Sequence, residues 1–396
     1  MYDAIVVGAR CAGASTAMLL ARKGMRVLLV DRSTFPSEIP HGHFIHRGGP
    51  ARLQRWGLLQ RIRQSNCPAI TSVVHDFGDF PLIGRNLSVN GVGAGYGPRR
   101  AVFDKILVDA AVEAGAELRL KFSVDEFMTS GDRITGVRGH GRGGTIIQDR
   151  AVIVIGADGR NSKLAQVVDA PVYDATQPLT CWYWSYWSGM PSRGLEVYVR
   201  GRCVTLVHPT NDGLTAIFVG RPAEELMSMR MNIERGFMSA IHEIPDLADR
   251  VRIAKREERF LGATDLPNFA RKPGGHGWAL VGDAGCHKDP YLALGIRDAL
   301  RDAELLAEAI DDALCGRVPF DRALEEYQRH RDAATMSDYR QNLERAQFSA
   351  FPADLMQLRR ALRDNPEDTT RFFLADEEMT APSAFFNPEN LQRIVT

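Results

Sequence analysis

The sequence predicts an α/β fold: a doubly wound parallel sheet, an inserted antiparallel β-sheet domain, and C-terminal helices. Three observations carry this reading. A strand–helix–strand unit opens the chain, two further apolar strands each run into a Gly–Asp or Asp–Gly turn, and between them the hydrophobic pattern changes to period two.

The run Tyr2–Val7 (YDAIVV) is β-branched and almost wholly apolar, as expected for a strand buried on both faces. A helix over 14–23 follows, with Gly24 placed for a left-handed cap, and then a second buried strand over 26–30 that ends at Asp31. This is a βαβ unit with a right-handed crossover. A helix over 103–114 leads through Gly115 to a strand at Glu117–Leu120, and 152–155 is another apolar strand. The alternating runs 195–199, 204–208 and 214–219 predict a half-exposed antiparallel sheet. The parallel-strand pattern returns at 278–281, and helices dominate 298–343. The expected division is a discontinuous first domain over 1–75, 98–170 and 268–340, a second over 76–97 and 171–267, and a helical appendage over 341–396.

With 396 residues, 44% apolar and 25% charged, the chain can bury a sizeable core and is not a disordered or fibrous protein. Its 49 basic and 49 acidic residues cancel, so no basic field favours nucleic acid. No apolar run is long enough to span a bilayer, and with the first strand starting at Tyr2 no leader is expected. A soluble cytoplasmic protein, monomer or homodimer, is expected. The cysteines Cys11, Cys67, Cys181, Cys203, Cys286 and Cys315 show no zinc-like spacing, and no disulfide framework is expected.

Gly8-Ala-Arg-Cys-Ala-Gly13 stands at the first strand-to-helix junction, where a dinucleotide fingerprint places its glycines. Gly8 can make the tight turn and Gly13 the close helix–strand approach, while the helix N-terminus offers free N–H groups to a pyrophosphate. Arg10 replaces the middle glycine. Asp31, at the end of the second strand, can accept bonds from a ribose. Two later motifs, Gly156-Ala-Asp158-Gly159-Arg-Asn-Ser162 and Gly282-Asp283-Ala-Gly285, each follow a buried strand.

In order and spacing these three motifs resemble FAD-dependent monooxygenases of the p-hydroxybenzoate hydroxylase class. Flavin halogenases and geranylgeranyl reductases share much of the pattern. The resemblance implies a Rossmann-like FAD-binding domain, with Asp283 on the ribityl chain, Arg100 at the phosphate or ribityl region, and Asp158-Gly159 lining the cofactor. The implied cofactor set is Gly8, Arg10, Gly13, Ala14, Asp31, Arg32, Arg100, Asp158, Gly282, Asp283, Gly295 and Ile296. It also implies that the Pro290 loop packs on the flavin and that the helix after Gly295 faces the flavin edge. Three departures stand out: Ala165 replaces an arginine that many relatives carry, Ala293 a frequent glycine, and Arg297 a small or amide residue.

His41-Gly-His43-Phe-Ile-His46 has no cysteine or carboxylate close enough to complete a metal site, so no metal is expected. The resemblance places this loop beside the flavin ring, which makes His43, His46 and Pro290 the candidate catalytic residues. In Cys181-Trp-Tyr-Trp-Ser-Tyr-Trp187, alternation puts Trp182, Trp184 and Tyr186 on one face, where they can wall an aromatic pocket or simply pack the sheet.

Only one dinucleotide fingerprint is present, so NAD(P)H is expected to dock transiently. The implied reaction transfers one atom of O2, through a flavin C4a-hydroperoxide, to an aromatic or polyketide-like small molecule. The alternatives are reduction of C–C double bonds, as in geranylgeranyl reductases, then halogenation, or a flavoprotein that sequesters a ligand. Asp298, near the start of a helix, is expected to act through the helix dipole.

Overall fold

The computed structural model describes residues 1–37, 39 and 41–395; Glu38, Pro40 and Thr396, which fall in the expected 1–75 and 341–396 segments, lie outside the described residues. Strand β1 (Tyr2–Val7) turns through Gly8 into α1 (Cys11–Arg22), and the chain returns as β2 (Val27–Asp31). The helix begins three residues before the expected 14, because Arg10, not Gly13, is its extended N-cap. Gly24 takes a φ of +83° just past the helix, as its cap position requires.

Strands β3 (Val73–Asp76) and β4 (Pro81–Gly84) come next, followed by α2, which spans Arg100–Glu113 and so includes Arg100 in its first turn. Strand β5 (Glu117–Leu120), the hairpin β6 (Ser123–Ser130) and β7 (Arg133–His140), and the long β8 (Ile146–Gly156) complete this half. The first sheet has the order β6-β7-β8-β1-β2-β5. Strand β8 changes partners along its length: residues 146–150 pair antiparallel with β7, while Ala151 to Gly156 run parallel to β1.

The second sheet is built from β9 (Thr180–Ser188), β10 (Leu195–Arg200), β11 (Cys203–Pro209) and β12 (Thr215–Pro222), in the order β9-β12-β11-β10-β3-β4. Its neighbours are antiparallel except β10 and β3, which run parallel with Leu195 beside Val73. Strand β3 spans the boundary expected at residue 75. The expectation that one face is solvated is corrected: all but the last residue of β9 are buried. Helices α3 (Ile233–His242) and α4 (Pro245–Ile253) cover one face through Phe237 and Leu247, which pack with Tyr183 and Trp187. Trp182, Trp184 and Tyr186 cluster on the other face with Phe218. The period-two alternation of β9 therefore separates two buried environments.

The chain then re-enters the first sheet as β13 (Trp278–Leu280), parallel to β8. Helices α5 (Gly295–Leu314) and α6 (Phe320–Ala346) follow, and α5 packs on α1. The last three helices, α7 (Ala353–Leu362), α8 (Pro366–Asp376) and α9 (Pro388–Val395), form a module around Leu358, Leu362, Phe372, Phe373 and Phe385, which pack against Val73 and Leu82 of the second sheet. Gly84 makes this contact possible, since a Cβ there would lie 2.5 Å from the Phe373 ring.

Candidate active site

A continuous cavity of about 1070 Å³ runs from the C-terminal ends of β1, β2, β8 and β13 to the inner face of the second sheet. Gly8, Arg10, Asp31, Arg32, His43, His46, Arg100, Asp158, Asp283, Pro290, Gly295 and Ile296 all line it, so sequence positions scattered from 8 to 296 meet on one wall. Gly13, Ala14 and Gly282 do not; they set the backbone behind that wall.

At the narrow end the turn after β1 is compressed. Gly8 has φ +104°, and a Cβ on it would come within 2.4 Å of the Ala157 carbonyl. A Cβ on Gly13 would lie 1.8 Å from the Gly8 carbonyl, so this glycine protects the turn itself. Ala14 is fully buried in the core, and a Cβ on Gly282 would press on Ala12. Arg10 needs no glycine conformation: its φ is −94°, and its guanidinium swings away to Asp104 at 2.8 Å.

No side chain caps α1, and its first intrahelical bond runs from Ala14 N to Arg10 O. The amides of Cys11, Ala12 and Gly13 therefore precede the helical ladder and carry the positive end of its dipole. Asp31 is oriented by two backbone donors, Ala9 N at 2.8 Å and Ser33 N at 2.7 Å. A buried Oδ1 of Asp158 has no partner, while its Oδ2 accepts from Lys163 N; burial pushes this carboxyl up. An uncapped helix, a glycine cradle closed to any Cβ, an oriented carboxylate at a strand end and an orphan carboxylate oxygen together fit a dinucleotide such as FAD.

The sequence did not single out Asp104. Its side chain is fully buried on α2 and takes Arg10 and both arms of Arg100, at 2.8 to 3.1 Å. Arg100 thus reaches the cavity with Nε and Nη2 already taken by a carboxylate, which fixes its guanidinium in place.

At the wide end the wall is aromatic. Trp184 of β9 lies directly opposite Phe218 of β12, with ring centroids 5.5 Å apart, and Phe218 stacks on His208 of β11 at 5.6 Å. His43 meets His208 edge-on at 5.0 Å. His43 Nδ1 lies 3.0 Å from the Gly97 carbonyl and Nε2 3.1 Å from the Tyr186 hydroxyl, so the neutral ring donates to the first and accepts from the second. Burial, then the neighbouring His208 and Arg99, hold its pKa well below the usual value. Burial lowers His208 to about 4.

The loop from Asp289 to Leu292 is pinned from several sides. Asp289 accepts from Thr180 Oγ1 at 2.6 Å and from Tyr291 N at 3.0 Å, and burial pushes its carboxyl up to about 6. Trp182 Nε1 donates to Thr180 Oγ1, which joins the aromatic strand to this loop. Asn342 of α6 bonds both Asp289 O and Leu292 N. Pro290 is therefore presented by a preorganised turn, followed by Ala293 at φ +52°.

His46 faces two acceptors: Nδ1 is 2.9 Å from Glu377 Oε2 and Nε2 is 3.0 Å from the Leu292 carbonyl. The two contacts orient the imidazole from both sides. Burial would raise the Glu377 carboxyl, but His46, Arg47 and His75 outweigh it and hold it low. Glu377 follows α8, so the appendage in which the sequence showed no chemistry supplies a buried carboxylate to the cavity wall.

Arg297 does not line the cavity. Its guanidinium bonds Asp298, Asp338 and Glu378, tying the start of α5 to α6 and to the end of α8. Asp298 is the hub of a buried network, with Lys288 Nζ at 2.5 Å and Arg297 Nε and Arg301 Nη1 each at 2.9 Å. The helix-dipole role expected for Asp298 is thereby corrected to that of a buried counter-ion. Among the described residues no group of three or more His, Cys, Asp or Glu could hold a metal ion, and no helix is long and apolar enough to cross a membrane.

Known proteins share this architecture. The digeranylgeranylglycerophospholipid reductase of Methanosarcina acetivorans is 26% identical over 357 residues, covering 83% of this chain and 80% of its own. The 6-methylpretetramide 4-monooxygenase of Streptomyces rimosus is 26% identical over 320 residues, covering 76% and 73%. The myxobacterial chondrochloren halogenase superposes with a TM-score of 0.80 at 19% identity, over 100% of this chain and 95% of its own, a likeness of fold. Residues 1–267 match the family described as FAD binding domain. The chain belongs to that FAD binding domain family, and it is an FAD-dependent oxidoreductase.

Proposed function

We propose that the protein is an NAD(P)H-driven monooxygenase that transfers one oxygen atom from O2 to an aromatic or polycyclic small molecule. The observation that carries this reading is the aromatic chamber that opens directly onto the Pro290 loop and the dinucleotide groove as one cavity. FAD bound there would supply the redox chemistry between reductant and oxygen. Gly8, Gly13 and the α1 amides would hold its pyrophosphate, Asp31 its adenosine ribose, and Asp283 its ribityl chain. Arg32, Arg100, Asp158, Gly295 and Ile296 would complete the binding surface, with Ala14 and Gly282 packed behind it.

The chain's own residues position the substrate and exclude water. Trp184, Phe218 and the neutral His208 form a ring wall in which the indole Nε1 of Trp184 and Nε2 of His208 are buried without a hydrogen-bond partner. His43, neutral, is fixed on the cavity wall by the Gly97 carbonyl and the Tyr186 hydroxyl. His46, braced by Glu377, keeps a proton at Nε2 on the Leu292 carbonyl and so fixes the loop that carries Pro290. The 1–75, 98–170 and 268–340 segments serve the cofactor, and 76–97 and 171–267 the substrate, with the helical module of 341–396 closing the chamber.

A second reading, reduction of a C–C double bond, is favoured by the reductase relative, which covers 83% of the chain. Isotope labelling separates the two. Under 18O2 with NAD(P)H and the substrate, the product should gain one labelled oxygen; a product that gains two hydrogens and no label would replace monooxygenation by reduction.

A further inference from the structure

The charged groups at the chamber end of the cavity are almost all matched. His46 is paired with Glu377, Lys288 with Asp298, and Arg359 with Asp79 at 2.8 Å, while Arg47 has Asp376 at 3.8 Å. Arg345, near the end of α6, differs among the described residues of this group in having no carboxylate partner, although Arg47, 3.8 Å from Asp376, likewise has a buried Nε without a hydrogen-bond partner. Arg345 has no carboxylate within ion-pair distance, and its Nη1 is buried without a hydrogen-bond partner.

A basic residue in the last turn of a helix ordinarily serves the free terminal carbonyls. Arg345 does not use Nη1 for that purpose, since the atom meets no acceptor. The guanidinium instead lies over the Phe351 ring, 4.7 Å from its centroid, and Phe351 stacks on Phe77 at 4.1 Å. This contact fixes the fork in position while leaving donors unmatched. Tyr291, one residue after Pro290, lines the same cavity, and its ring meets Trp182 and Phe348 edge-on.

We propose that Arg345 is the anion-recognising residue of the substrate site, and that the substrate is an aromatic or polycyclic organic acid whose anionic group docks on this guanidinium. An unpaired, partly buried guanidinium beside aromatic rings is most fully satisfied by a planar anion that accepts two parallel N–H bonds, as a carboxylate does. The apolar body then lies along the Trp182, Trp184 and Phe218 wall toward the Pro290 loop. The proposal rests on the cavity being the substrate chamber; it does not depend on which reaction follows.

The test is calorimetric binding to the FAD-loaded protein, with no reductant present, of shape-matched probes: 2-naphthoate, 2-naphthalenesulfonate and the neutral 2-naphthamide. Wild type should bind the carboxylate roughly 10- to 150-fold more tightly than the amide, the range expected for one charge-assisted contact. Arg345→Gln should erase that preference, bringing carboxylate and amide to equal affinity, and Arg345→Lys should keep part of it. The sulfonate, whose head is tetrahedral, separates carboxylate geometry from charge alone: binding equal to the carboxylate would keep the anion site but refute selection of a planar head, and weaker binding would support it. Equal affinity for carboxylate and amide in wild type, a preference that survives Arg345→Gln, or no binding of any probe at millimolar concentration would overturn the proposal. Because nothing turns over in this assay, its failure is distinguishable from failure of the monooxygenase reading, which the labelled-oxygen experiment addresses.

Discussion

Replacing Asp298 by Asn tests whether the start of α5 is held by charge or only by its dipole. The Asp298 side chain is 10% exposed, and its cationic partners Lys288, Arg297 and Arg301 are 5%, 5% and 11% exposed. Burial alone would raise the Asp298 carboxyl, but Lys288, Arg301 and Arg297 hold it well below the usual carboxylate range. A carboxylate acting only through the helix dipole would contribute about 0.3–1 kcal/mol. Removing the counter-ion from a buried network leaves cations unpaired and costs about 3–5 kcal/mol. Arg297 and Arg301 retain Asp338, Glu378 and Asp302, so the lower end of that range is expected. Urea unfolding of the FAD-loaded protein, followed by far-UV circular dichroism, measures the difference. Glu308→Gln, at an exposed position on the same helix, is the control and should fall within about 0.5 kcal/mol of wild type. A loss below about 1 kcal/mol for Asp298→Asn would refute the network as a stabilising unit.

Asp283→Ala should weaken FAD binding roughly 10- to 150-fold in a fluorescence titration of apoprotein, the cost of one charged acceptor lost from a polyol; equal affinity would show the ribityl assignment to be wrong. Gly13→Ala should release FAD on gel filtration, since even a methyl meets the Gly8 carbonyl, and full flavin retention would contradict the turn geometry. His208, lowered to about 4 by burial, should make the protein lose stability as pH falls from about 6.5 toward 4, because the unfolded chain then binds the proton the folded chain refuses. His208→Gln should flatten that limb by roughly 3 kcal/mol; an unchanged acid limb counts against a buried neutral ring. Glu377→Gln should cost about 3–5 kcal/mol in the same urea assay, as removal of a buried ionic partner does, and a change below 1 kcal/mol would mean that His46 needs no counter-ion.

The parallel sheet was legible because strands buried on both faces must be apolar throughout, and the glycine turn because Gly8 and Gly13 sit where a Cβ cannot. The aromatic wall was half legible: alternation put Trp182, Trp184 and Tyr186 on one face, yet nothing local said that the opposite face is buried too. That depends on α3 and α4 folding back from about fifty residues downstream. Asp104 shows a signal that was available, since it stands four residues after Arg100 on the same helix, the spacing of an ion pair. Glu377 and Arg345 gave no such signal. Their partners and surroundings come from His46 and from the aromatic loop around Phe351, and a charge in a polar helix reads as solvated until tertiary packing removes the water.

Oxygen uptake by the FAD-loaded protein with NAD(P)H, measured with an electrode across a series of aromatic acids and repeated in argon with product analysis, tests the central claim most directly. The account predicts slow uptake without an aromatic acid, and stimulated uptake matched one-to-one by NAD(P)H oxidation when the right acid is present. NAD(P)H oxidation that proceeds equally well in argon and saturates a carbon–carbon double bond would contradict it.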